Sequence, residues 1–328
     1  MTDASRYFLV GGAGFIGGHF VDRLIPEPHV TQVTVYDNFS SGREWHLEHH
    51  MGSPKLRVVH GDARDVKAMT DAMQNHEVVI HLASNPDIAR AVTEPAIDFD
   101  QGTFLTHNVV EAMRITGAAQ ILYASGSGVY GDLGMLEASE NYGPLVPIST
   151  YGASKLAGEA LISAYSHMFG LQGCVYRFAN VVGERQTHGV GFDFLRRLGE
   201  SPKRLRILGN GTQSKSYIHV SDVVDAVLLA AAAPGRKAFR TYNVATGDYI
   251  TVREIAELAV EIMGLPAGAT EFEFTGGDRG WAGDVPIVRL NTSRIRRLGW
   301  RNKMTSREAL KASMQGMLVD AATGRLWA

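Results

Sequence analysis

The sequence predicts an α/β fold, a doubly wound parallel sheet with a smaller carboxyl-terminal α/β lobe. Three observations predict it. Short apolar runs rich in β-branched residues alternate with helix-period stretches through the first half of the chain. The first run opens into a glycine turn and a helix. After Asn180 the pattern loosens into glycine-rich segments of mixed charge with shorter helices between them. The 328 residues, 45% hydrophobic, suffice for a large domain plus a lobe, or for two domains. The expected division is 1–180 for the sheet domain and 181–328 for the lobe, with an approximate boundary that the chain crosses.

In order along the chain, "YFLV" (7–10), "QVTVY" (32–36), "LRVVH" (56–60), "EVVIHLA" (77–83) and "QILYAS" (120–125) read as strands buried on both faces. Helix periodicity runs from Pro95 to Thr116 and from Ser149 to Phe169, and "QGCVYRFAN" is a further strand. Near the other end, "TVREIAELAVEIMG" is a helix with Thr251 as its cap and Gly264 near its end.

Composition excludes several classes. The net charge of −2 supplies no broad basic face for nucleic acid. The single cysteine, Cys174, rules out a disulfide framework and reads as a packed strand residue. No basic n-region precedes an apolar run at the amino terminus, and no apolar stretch reaches about 18 residues. "VVDAVLLAAAA" is broken by Asp225. A cytoplasmic protein without membrane contact is expected. "HLEHH" (46–50) lacks supporting acids and thiols and reads as an exposed helix, so no metal is expected.

In "YFLVGGAGFIGGHFVDRLI", Gly11, Gly14 and Gly17 have G-x-x-G-x-x-G spacing, the mark of a Rossmann-type dinucleotide turn. The helix start, Phe15 and Ile16, offers N–H groups to a pyrophosphate. Asp37 follows about 20 residues after the last glycine, where an acid binds ribose hydroxyls and repels a 2′-phosphate. Asn38, Ser40, Ser41 and Gly42 continue that cofactor loop, and Arg43 is the counter-argument, a cation able to accept a 2′-phosphate. Asp62 and Ala63 follow the third strand, where Asp62 can bond adenine or cap the next helix. Leu82, Ala83 and Ser84 end the fourth strand beside the nicotinamide half. The cofactor expected is NAD.

"YGASK" places Tyr151 and Lys155 one helical turn apart on one face. A free tyrosine, with pKa about 10, is a poor base at neutral pH, and a neighbouring ammonium, together with the positive charge of oxidised nicotinamide, would lower that value. An ordinary helix-surface pair is the alternative for the isolated motif.

Together, "GGAGFIG", "GDARD", "HLAS", "SGSGVYGD", "YGASKLAGE", "YRFANVVGERQ" and "SYIHVSD" resemble the extended short-chain dehydrogenases/reductases. The similarity is to their NAD-dependent nucleotide-sugar epimerases and dehydratases, of the UDP-glucose 4-epimerase type. It implies tightly held NAD, a lobe for a nucleotide-diphosphate sugar (UDP-sugar foremost), and a homodimer through the helices at 95–116 and 149–169. It also implies a catalytic Ser or Thr at the position that Gly126 occupies. Ser125 and Ser127 flank it, and Ser125 is narrowly the expected source of the hydroxyl, with water as the alternative. Family dehydratases carry an acidic pair where Ser127 and Gly128 stand, so the resemblance favours C4 epimerisation. A dehydratase, an NADP-dependent reductase and a non-catalytic NAD sensor are the competing readings.

By the same resemblance Asn180 and Lys215 bind the diphosphate, Lys215 standing where an arginine is usual, and Arg279 is a second diphosphate ligand. His188 is a candidate sugar or base contact. Phe192 and Phe194 could stack on the base or pack in the core.

Overall fold

The computed structural model describes residues 6–233 and 237–326. Its first half follows the alternation read above. β1 (Arg6–Val10), α1 (Phe15–Leu24), β2 (Gln32–Asp37), β3 (Leu56–His60), α2 (Val66–Met73), β4 (Val78–His81), α3 (Phe104–Thr116), β5 (Gln120–Gly126), α4 (Thr150–Phe169) and β6 (Gln172–Phe178) appear in turn. Then come β7 (Asn180–Val182), α5 (Val190–Glu200), β8 (Arg204–Ile207), β9 (Ser214–Lys215), β10 (Tyr217–His219), α6 (Val220–Ala232) and β11 (Phe239–Val244). The chain ends through β12 (Ile250–Thr251), α7 (Val252–Ile262), β13 (Glu271–Phe274), α8 (Ser293–Arg296) and α9 (Ser306–Ala322).

Among the described residues the main sheet has seven strands in the order β11-β6-β5-β4-β1-β2-β3. β1 pairs in parallel with both β2 and β4, so strand order reverses beside it. Such a reversal leaves a crevice at the carboxyl ends of the strands, where α/β sheets take their ligands. Apolar side chains on both faces drive the burial of the central strands, whereas β3, expected to be buried on both faces, lies at the sheet edge and is only partly buried. Phe8, Val79, Ile121 and Tyr123 join Val109, Met113 and Ile162 of the helices in one core. Cys174 is wholly buried in β6, and burial pushes its thiol up to about 11, an inert strand residue as expected.

Two expected helices differ. The stretch from Pro95 becomes α-helical only at Phe104, after a π-helical turn at Phe99–Thr103. That turn lies against α4, whose Ser154 side chain fills the space a side chain on Gly102 would need. "HLEHH" is not an exposed helix. It forms parts of two short 3-10 turns, Glu44–His46 and Glu48–His50. His46 is buried with Nδ1 2.7 Å from the Ala13 carbonyl, and His50 Nε2 lies 3.0 Å from Asp22. No described residues form a His/Cys/Asp/Glu group able to hold a metal.

The chain divides into two compact units. The first comprises residues up to 129, 150–177 and 224–242, and the second comprises 130–149, 178–223 and the chain from 243. Where the sequence suggests one approximate boundary near residue 180, the chain crosses repeatedly. The second unit holds the parallel pairs β7–β10 and β8–β13 and the antiparallel pair β9–β12. In it α5, α7 and α9 pack on one another. α7 begins at the expected Thr251, in a reciprocal capping box with Glu254. Among the described residues no helix is long and apolar enough to cross a membrane.

Candidate active site

The glycine turn is shaped by close approach. Gly11 has φ +80°, and a Cβ there would lie 2.6 Å from the Ala83 nitrogen. A Cβ on Gly17 would lie 2.6 Å from Gly12 Cα, so the helix rests on the turn only because both are glycine. Gly14 caps α1 with no side-chain bond, and the first helical turn carries no acid. The leading N–H groups of Phe15 and Ile16 therefore lack intrahelical acceptors, which suits a helix start to an anion.

Asp37 ends β2, buried, and closes this cradle. Its Oδ2 accepts from Ala13 N at 2.9 Å and its Oδ1 from Phe39 N at 2.8 Å. Burial raises its pKa while those bonds oppose the rise. A carboxylate has about four acceptor sites, so two remain for ribose hydroxyls. Asn38 Oδ1 accepts from Ser40 N at 3.0 Å, Ser41 is half-buried, and Gly42 packs on Asp37. Arg43 turns its guanidinium onto the Gly42 carbonyl at 2.9 Å.

Asp62 does not cap α2. That role falls to Asp65, which accepts from Ala68 N at 3.0 Å. Asp62 takes a fork from Arg64 and a bond from Asn38, and Arg64 holds its carboxyl below the usual range. Ala63 is buried beside it. Leu82 and Ala83 donate to the Val10 carbonyl at 2.9 and 3.0 Å, which brings the end of β4 against the glycine turn. Free helix N–H groups, a spared carboxylate and glycines at close approach fit a dinucleotide.

Tyr151 and Lys155 share one face of α4. Lys155 Nζ lies 5.6 Å from the Tyr151 ring centre and donates to the Ala124 carbonyl at 2.8 Å. Burial pushes Tyr151 up to about 12, with Ser84 opposing the rise and the charge of Asp98 adding to it. Burial also brings Lys155 down to about 8, against the charges of Asp98 and Glu159. Asp98 itself is buried, accepting from Asn85 at 2.9 Å and from Thr150 at 2.7 Å.

At the end of β5 the two serines part. Ser125 is buried and donates to Glu159 at 2.6 Å, while Glu159 accepts a fork from Arg177 at 2.7–3.3 Å. Ser127 is half-buried and starts the 3-10 turn Ser127–Tyr130. Between them, a Cβ on Gly126 would meet no heavy atom within 4 Å. The hydroxyl of Ser125 is thus already committed to Glu159.

In the second unit Asn180 is exposed at the start of β7 and bonds the Ser216 carbonyl at 3.3 Å. Lys215 Nζ lies 2.6 Å from Asp284, and Arg279 reaches Asp132 at 2.6 Å and the Asp284 carbonyl at 2.5 Å. Both cations therefore stand in ion pairs, not free in solvent. His188 is exposed just before α5, Phe192 is half-buried and Phe194 packs in the core. Sequence reasoning missed Asp98, Asn85, Glu159, Arg177 and Asp284, whose partners lie far away in the chain.

A model of the NAD dependent epimerase/dehydratase family matches residues 7–245. The chain belongs to the NAD-dependent epimerase/dehydratase family. This family uses NAD. Its "Putative UDP-glucose 4-epimerase" of Methanocaldococcus jannaschii is 31% identical over 316 residues, covering 94% of this chain and 97% of the relative. The dTDP-glucose 4,6-dehydratase of Actinoplanes sp. is 32% identical over 299 residues, covering 86% and 90%. Among solved structures, the UDP-glucose 4-epimerase of Thermotoga maritima with UDP-glucose superposes with TM-score 0.85 at 30% identity, covering 96% of this chain and 99% of that one. Both reaction types of the family thus stand among the similar proteins.

Proposed function

We propose that the chain inverts C4 of a nucleotide-diphosphate hexose, with a UDP-sugar as substrate, through a transient 4-keto sugar. One observation carries this reading. Tyr151 and Lys155 lie on one helix face, while the adjoining strand end, Gly126-Ser127-Gly128, offers no carboxylate. Water elimination needs a general acid/base at the carbons beyond C4. Asp98 is a poor candidate for that work, since both its oxygens accept hydrogen bonds from Asn85 and Thr150.

NAD, when bound, supplies the reversible hydride acceptor. Gly11, Gly14, Phe15, Ile16 and Gly17 would hold its pyrophosphate, Asp37 a ribose, and Lys155 the nicotinamide ribose. Tyr151 takes the proton of the 4-hydroxyl and gives it back after the sugar has turned. Its proton must leave a half-buried phenol, so every nearby group that stabilises the phenolate matters to rate. Asn180, Lys215 and Arg279 serve the substrate diphosphate, with Lys215 acting as a point charge. Phe104, Ile115, Met168 and Phe169 expose apolar surface on α3 and α4, which supports a homodimer through those helices.

The test is product analysis with UDP-, dTDP-, GDP-, ADP- and CDP-hexoses and no added cofactor. Formation of the C4 epimer of one of them supports the reading. A 4-keto-6-deoxy product, consumption of added NADPH, or no turnover of any would replace it by a dehydratase, a reductase or a sensor.

A further inference from the structure

Arg279 is gripped from two sides by groups of its own structural unit. Its Nη1 donates to the Asp284 carbonyl at 2.5 Å and its Nη2 to Asp132 Oδ2 at 2.6 Å. Asp284 also accepts from Lys215 Nζ at 2.6 Å through Oδ1, and from Gly280 N at 3.0 Å through Oδ2. Two cations and two carboxylates therefore alternate in one row, Lys215, Asp284, Arg279 and Asp132, and their formal charges cancel. A place that attracts a diphosphate is expected to carry surplus positive charge, and this row carries none. We propose that Asp132 is an affinity-setting residue, a carboxylate that competes with the substrate diphosphate for the outer edge of Arg279.

The two acids are not equivalent. Asp284 is 7% exposed, and it is held through both carboxylate oxygens and its carbonyl. Removing its charge would leave the half-buried ammonium of Lys215 without this counter-charge, which makes Asp284 an anchor. Asp132 is exposed, and its Oδ1 accepts from Gly134 N at 3.1 Å, a bond between near neighbours in a turn. Its pair with Arg279 is open to water, the two side chains being 26% and 36% exposed. Such pairs are weak and give way to a better anion. A guanidinium fork takes carboxylate and phosphate oxygens in the same geometry, so Asp132 and a phosphate claim the same Nη2 edge. A carboxylate left beside a bound diphosphate would also repel it. Both effects act in one direction, toward weaker binding.

This inference rests on the proposed role of Lys215 and Arg279 at the diphosphate, and its test separates the two. Calorimetry on the full chain uses UDP, dTDP, GDP, ADP and CDP as probes, with the matching nucleosides as controls. Asp132→Asn keeps the size of the side chain and its ability to accept from Gly134 N, and removes the charge. It should tighten the best-bound diphosphate by roughly 2-fold to 5-fold at low salt, the scale of an exposed ion pair. The gain should shrink as salt rises, and the nucleoside should bind as it does to the parent. In an Arg279→Ala background the same substitution should give a clearly smaller gain. A residue that merely held its turn in place would not tighten binding when altered. If Asp132→Asn leaves diphosphate affinity unchanged, weakens it, or tightens the nucleoside equally, the inference is overturned. In that case a weakened diphosphate in Arg279→Ala still upholds the reading of the cations. If Arg279→Ala and Lys215→Ala both bind like the parent, or the parent binds none of the five, that reading fails and the inference falls with it.

Discussion

Ser125 donates its hydroxyl to Glu159 at 2.6 Å, tying the end of β5 to the middle of α4. Glu159 and Arg177 form a buried ion pair at 2.7 Å. Removing one partner of such a pair leaves an uncompensated charge and costs about 3–5 kcal/mol. Glu159→Ala should therefore destabilise by that amount in guanidinium unfolding. Ser125→Ala, which deletes one bond to a charged acceptor, should cost about 1–3 kcal/mol.

Lys155 carries a stability cost that pH relieves. Its folded-state pKa, about 8, lies below the free value of 10.5. Between those values the unfolded chain binds more protons than the folded one, so stability rises with pH through that window and the penalty is full below it. Against a Lys155→Met reference, the parent should gain on the order of 2–3 kcal/mol between pH 7.5 and pH 10.5. Urea unfolding at a series of pH values measures this. A flat difference would mean that the ammonium is not desolvated as its burial implies.

Asp37 has a double role in the proposed cofactor site. It should favour NAD over NADP, and its bonds to Ala13 N and Phe39 N fix the glycine turn. Asp37→Ala should release NAD on gel filtration while the parent retains it, and should lower the melting temperature as well. Nucleotide set free from the denatured parent should be NAD. Recovery of mainly NADP would show that Arg43 outweighs the acid.

Gly17 and Gly126 should respond oppositely to a methyl group. Gly126→Ala meets open space and should be neutral or stabilising by up to about 1 kcal/mol. Gly17→Ala drives a Cβ to 2.6 Å from Gly12 Cα and should disrupt the turn. Thermal unfolding of the two variants side by side reads the contrast.

What was legible in the sequence shares one property: short range. Gly11, Gly14 and Gly17 lie within a single turn and helix start, Tyr151 and Lys155 within one helical turn, and Thr251 with Glu254 within one capping box. Each pattern has a local geometric reason and survives without knowledge of the fold. The bonds from Ser125 to Glu159 and from Thr150 to Asp98 join segments far apart in the chain, and ordinary polar residues make them. Strand register decides such contacts, and a single sequence shows register only weakly. The "YGASK" motif displays the lysine, but not the depth of burial or the carboxylate at Asp98. The "HLEHH" turns were missed because His46 is held by a backbone carbonyl, a partner without sequence identity.

The central claim, a hydride removed from C4 and returned to C4 on the other face with no chemistry at C5, is tested most directly by isotope. UDP-glucose deuterated at C4 is incubated with the protein in ordinary water, and the UDP-galactose formed is examined by proton NMR. The account predicts that the product keeps its deuterium at C4 and takes up no solvent hydrogen at C5 or C6. Loss of the C4 label to solvent, or solvent hydrogen in a 4-keto-6-deoxy sugar, would contradict it.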